Sequence, residues 1–174
     1  MASPAAPAER RLLSVGAAQL LVQLVGMGVA VRRRLPYDVE LVAMRGEPDE
    51  MGRDVWDTGT ALSAPIQMLG MQAGALGWLA TRDSTVARRI LGGLGALNVA
   101  GYLGERVVRE RLRPGGWDPV ETPVAGLGVT LAAAMGVLGL RPSSRATGRG
   151  LDDERRGRDA GCVQPLLVLR PRAG

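Results

Sequence analysis

The stretch LLSVGAAQLLVQLVGMGVAV, residues 12–31, followed at once by Arg32, Arg33 and Arg34, decides how this chain folds. It carries no charge. A helix rises about 1.5 Å per residue, so a run of about 20 residues reaches roughly 30 Å, the thickness of a bilayer's hydrocarbon core. The arginine triplet stops the run where headgroups would begin. A cleaved signal peptide has a shorter apolar region, about 7–15 residues, and a small-residue cleavage site before a polar chain. The full-length run with its triple-Arg stop points instead to a retained transmembrane helix.

Three further segments extend the pattern. A second span is expected over about 60–80, with Ser63 as N-cap, Pro65 in the first turn and Trp78 as an interfacial anchor. A third is expected over about 86–106, inside one helix that runs from Ser84 or Thr85 to the terminator Pro114-Gly115-Gly116. Only Ile90 to Gly104 is uncharged there, so Arg88, Arg89 and Arg106 must snorkel to the interfaces. The fourth is expected over about 122–140, with Pro123 at its first position and Arg141-Pro142 closing it. The expected fold is thus all-α, an integral membrane four-helix bundle over residues 12–141. Residues 1–11 read as a disordered lead-in, 32–58 as a polar loop and 142–174 as a disordered basic tail. A soluble helical bundle would leave the long uncharged blocks unexplained.

Composition narrows the chemistry. All 22 basic residues are Arg, and the chain has 25 Gly and no Phe. That pattern fits GC-rich codon usage rather than a binding signal. The net charge of +5 comes from arginines that flank the spans and from the tail. No basic stripe is interleaved with aromatics, so no nucleic-acid partner is expected. The absence of His removes His-ligated haem, His-containing zinc sites and Ser-His-Asp triads. A single Cys, Cys162, excludes an intrachain disulfide and a CxxC redox pair. The acidic residues of the 32–58 loop lack EF-hand spacing. No catalytic residue, metal site or cofactor is expected.

Small residues recur every four positions in the third helix, at Gly92, Ala96, Ala100 and Gly104. Gly70 and Gly74 repeat the theme in the second, and Gly128, Ala132 and Gly136 in the fourth. Such stripes let helix backbones approach closely, either within one chain or between copies. Asn98, Tyr102 and Glu105 form a second, polar face of the third helix, and Arg109 continues it and can pair with Glu105. Gln19 and Gln23 mark one face of the first helix, and Gln67 and Gln72 lie in the second. Intramembrane polar residues point inward by default. These seven therefore form a candidate polar cavity for a small ligand or lipid headgroup, or else interhelical hydrogen bonds that fix register. Arg106, Arg109, Arg111 and Arg113 are candidates for anionic lipid headgroups, or simply the basic end of a helix.

The functional expectation is a multi-pass protein of the cell membrane that acts without catalysis, through helix packing and contact with lipid, with itself or with a membrane protein partner. The alternative is a carrier of small molecules or lipid, or a membrane enzyme, that uses the polar face of the third helix. Arginines divide almost evenly between the two sides, so orientation rests on the acidic loop, which places the termini in the cytoplasm. The arginine triplet argues the other way.

Overall fold

The computed structural model of the protein describes residues 7–39, 44–45, 55–56, 59–82 and 84–141. The expected tail at 142–174 and most of the lead-in and of the polar loop lie outside the described residues. The described part is helical. Four long helices, α1 (Pro7–Arg33), α2 (Ile66–Thr81), α3 (Thr85–Gly104) and α5 (Glu121–Leu140), are joined by a short α4 (Arg106–Leu112). Between α1 and α2, β1 (Asp38–Val39) pairs antiparallel with β2 (Met44–Arg45) over two residues each.

Several boundaries differ from those read in the sequence. α1 starts at Pro7, so the residues just before Leu12 are helical. Proline is tolerated there because the first helical N–H has no partner to lose. α1 ends with Arg34 in the left-handed region, at φ 51. Leu35 N–H donates to Ala30 O (2.9 Å) and Arg34 N–H to Val31 O (3.3 Å), the paired bonds of a Schellman stop. α2 starts at Ile66, not near Thr60. Its N-cap is Pro65, with no side-chain cap, and Ser63 instead pairs with Thr60 in a tight turn. Gly59, at φ +90, and Pro65 bracket that turn and keep it from joining the helix. The expected continuous third helix is broken. Glu105, at φ −71 and ψ 127, separates α3 from α4 and caps both. α5 starts at Glu121, which places Pro123 third in the helix rather than first. Asp118 caps it, its Oδ1 accepting from Val120 N–H (2.9 Å) and Glu121 N–H (2.8 Å).

The helices run alternately up and down. Near one end, Leu12 of α1, Leu79 of α2, Ala87 and Leu91 of α3 and Met135 of α5 form one buried cluster. Near the other, Ala30, Leu62, Tyr102, Val108 and Ala125 form a second. α3 and α5 touch backbone to backbone. A Cβ on Gly92 would lie 2.8 Å from the Gly139 carbonyl carbon, and one on Gly95 would overlap Gly136 N and Ala132 O. Only glycine permits this approach, which brings extensive van der Waals contact.

By length and composition, two helices are able to cross a membrane, α1 and α5, each with a mean hydropathy of 1.8. α2 has 16 residues, about 24 Å of helix, and α3 carries Arg88 and Arg89 at its fourth and fifth positions. By the same measure α2 and α3 do not reach a full span.

Candidate functional site

The buried face of α3 follows alternating steps of four and three: Leu91, Gly95, Asn98, Tyr102, Glu105. This rhythm keeps side chains on one straight face. Its first half is apolar and packs on α5; its second half is polar. The four-residue series behaves differently, because each step of four drifts about 40° around the helix. Gly92 is buried against α5, whereas Ala96 and Ala100 are exposed. Gly128, Ala132 and Gly136 are buried on α5, and Gly128 lies under the Tyr102 ring. Gly70 and Gly74 are exposed, and a Cβ on either would meet nothing within 4 Å.

The turn at 59–65 completes the polar half. Thr60 N–H donates to Ser63 O (2.9 Å) and Ser63 N–H to Thr60 O (3.2 Å). Leu62 at its tip is fully buried beside Gly26 of α1, about 8 Å along the helix from Val31. The turn's backbone polar groups find partners within the protein, and the turn lines a cavity. Gln23 Oε1 accepts from Ala64 N–H (3.3 Å), and Tyr102 Oη donates to Leu62 O at a long 3.4 Å.

Between this turn and α3 lies a pocket of about 290 Å³. Asn98, Tyr102 and Glu105 line it, together with Thr60 and Ser63 of the turn and Leu97 and Gly101 at its rim. Ser63 Oγ donates to Ala64 O (3.1 Å). Glu105 Oε2 accepts from Asp38 N–H (3.0 Å). Thr60 Oγ1 is buried and makes no hydrogen bond. Asn98, 5% exposed, makes no side-chain hydrogen bond among the described residues. Leaving a buried polar group unpaired costs about 1–3 kcal/mol.

The four glutamines do not line the pocket. Gln23 Nε2 donates to Gln72 Oε1 (3.0 Å), and Gln72 Nε2 donates to Gly16 O (2.9 Å), a chain that ties α1 to α2. Gln19 is fully buried and neither of its amide atoms makes a hydrogen bond of acceptable geometry, although the Tyr102 hydroxyl lies alongside. Gln67 is exposed. Five residues separate it from Gln72, about 140° of rotation, so the two cannot share a face.

The four arginines separate as well. Arg106 Nε bonds Glu110 Oε1 (2.7 Å), and its Nη1 lies 4.0 Å from Asp38 Oδ2. Arg111 Nε bonds Glu121 Oε2 (2.7 Å). Arg109 lies close enough to Glu105 to act on its charge. Arg113 is exposed. Arg111 belongs to a clamp that nothing local in the sequence foretells. Glu121, 2% exposed, also takes Arg33 Nη1 on its Oε1 (2.5 Å), and Arg33 reaches Asp118 Oδ2 at 3.0 Å. This carboxylate therefore joins the end of α1, the end of α4 and the start of α5. Its bonds raise the pKa of Arg33 and of Arg111. The Glu121 and Val120 N–H groups, then Arg33, hold Asp118 down to about 2. The Arg106 bond lowers Glu110. No group of three acidic or cysteine side chains gathers as metal ligands among the described residues.

Comparisons with protein-family profiles, with curated proteins and with solved structures find no match.

Proposed function

We propose that the four long helices form one membrane-embedded bundle of a multi-pass cell-membrane protein, which acts without catalysis, through helix packing and contact with lipid or a protein partner. One observation carries this reading: polarity is inverted around the waist of the bundle. Gln19, Gln23, Gln72 and Asn98 face inward, while Leu21, Met71, Leu97 and Leu127 stand at least half exposed, one on each long helix. In water that arrangement exposes the apolar side of every helix. In lipid it is the expected one.

The charges support it. None lies within Leu12–Val31, Ile66–Thr81, Ile90–Gly104 or Thr122–Leu140, and the up-down topology sets these segments side by side. Arg10, Arg11, Arg82, Arg88 and Arg89 then gather at one end, and Arg32–Arg34, Arg106–Arg113 and Asp118 at the other. The short α2 is accommodated by local thinning of the bilayer and by the turn that precedes it. Bare Gly70 and Gly74 leave the outer side of α2 open to a partner helix.

A second reading, a carrier of small molecules or lipid, is favoured by the pocket beside Asn98. Alkaline carbonate washing of membranes, followed by flotation with liposomes, tests the embedding. The protein should remain in the pellet and float. Release into the carbonate supernatant would contradict it.

A further inference from the structure

The pocket beside Asn98 has the features of a built site. Asn98 at its wall is 5% exposed and makes no side-chain hydrogen bond among the described residues. The Thr60 hydroxyl is also unpaired but is enclosed, which leaves the Asn98 amide as the unpaired group open to the cavity. An amide offers donors and an acceptor. It matches a group that itself donates and accepts, such as an alcohol.

Charge narrows the class. The lining contains Glu105 and no cation. An anionic headgroup would meet the Glu105 carboxylate with no cation in the lining to bind it. A cationic one is not called for, since Glu105 already accepts the Asp38 N–H and lies beside Arg109. An uncharged headgroup remains.

Shape gives the rest. A volume of about 290 Å³ suits a headgroup of glycerol size with its first methylenes, and is at the low end for a whole drug-sized ligand. The mouth opens at Leu97, 62% exposed, and over Gly101, where a Cβ would meet nothing within 4 Å. That side is the waist of the bundle. We propose that this pocket binds the headgroup of a neutral hydroxyl-bearing amphiphile of the monoacylglycerol class, whose acyl chain leaves over Gly101 and Leu97 into the surrounding lipid. The proposal rests on the membrane-embedded reading and deepens the carrier reading.

The test uses full-length protein in phosphatidylcholine nanodiscs with a fluorescent 1-monoacylglycerol. Binding should be saturable. Asn98→Leu should weaken it roughly tenfold, about the value of one buried hydrogen bond. Unlabelled monooleoylglycerol should compete at least tenfold better than oleate at pH 9 or oleylamine, and free glycerol should not compete at millimolar concentration. Unsaturable binding, unchanged binding by Asn98→Leu, or stronger competition by either charged amphiphile would overturn the proposal. Should Asn98→Leu fold poorly, Gly101→Leu blocks the acyl track from an outward position. It should cause the same loss, and unchanged binding in it would also overturn the proposal. Flotation separates the two levels. Protein that floats yet shows no saturable binding defeats the pocket alone. Protein that does not float defeats the membrane reading and the pocket with it.

Discussion

The two ends of the bundle are built on opposite principles. Where α1 and α3 begin, the interior is dry: Leu12, Leu79, Leu91, Leu94 and Met135 cluster, and Gly92 and Gly95 lie directly on the α5 backbone. Where α1 ends, the interior is polar, with a turn in place of helix, a pocket, and Glu121 held between two arginines. The same helix, α3, supplies both, on one continuous face. Close packing leaves no room for a ligand, and a pocket requires that packing be relaxed. The dry end can hold the bundle together while the polar end remains open.

Four tests can break or sharpen this contrast. The largest effect is expected at the dry end. Gly95→Leu places a side chain where Gly136 N and Ala132 O already lie, so it should cost about 3 kcal/mol or prevent folding, read as thermal unfolding in detergent. Gly93→Leu, with no neighbour within 4 Å, serves as the matched control and should fold. Loss in both, or in neither, would remove the close contact from the account.

At the polar end Glu121→Ala leaves Arg33 and Arg111 without their shared partner. Both guanidinium groups are about a third exposed, so water screens them, and the loss should be about 2 kcal/mol rather than the larger cost of a fully buried pair. Double variants with Arg111→Ala should be clearly less than additive.

The glutamines separate satisfied from unsatisfied polarity. Gln72→Leu breaks the bonds to Gly16 O and to Gln23 and should destabilise by about 1 kcal/mol. Gln19→Leu removes an unpaired amide and should leave stability unchanged or raise it by up to about 1 kcal/mol. The reverse order would show that Gln19 has a partner in the folded protein.

The smallest effect is expected from acid. Asp118 is lowered to about 2 in the folded protein, so its contribution to stability is present above the ordinary carboxylate range and is lost as pH falls toward 2. Unfolding temperature measured from pH 5 down to pH 2 should fall, and Asp118→Asn should reduce that slope. An unchanged slope would mean that the cap and the Arg33 contact contribute nothing.

The two ends also differed in how far the sequence could be read. The long uncharged runs mark α1 and α5 because no other local pattern spaces charge so widely. The Asn98, Tyr102 and Glu105 spacing placed three side chains on one face, and the structure brings all three to one pocket. The turn that faces them falls at the start of the expected second span, and the flanking Gly59 and Pro65 are the sequence signal for it. The break at Glu105 had little signal, since ERVVRERL continues a good helical sequence. Thr60 became notable only through burial. The Arg33–Glu121 bond joins residues 88 positions apart, and no local pattern encodes that.

The inverted waist is the claim on which the rest depends. In a Cys162→Ser background, single cysteines at Leu21, Met71, Leu97 and Leu127 can be compared with cysteines at Arg11 and Arg113 in open membrane fragments treated with a membrane-impermeant maleimide. The four waist positions are exposed on the folded chain, so only lipid or a membrane partner would shield them. The account predicts that they react only after detergent denaturation, while positions 11 and 113 react at once. Equal reaction of waist and end positions before detergent would contradict it.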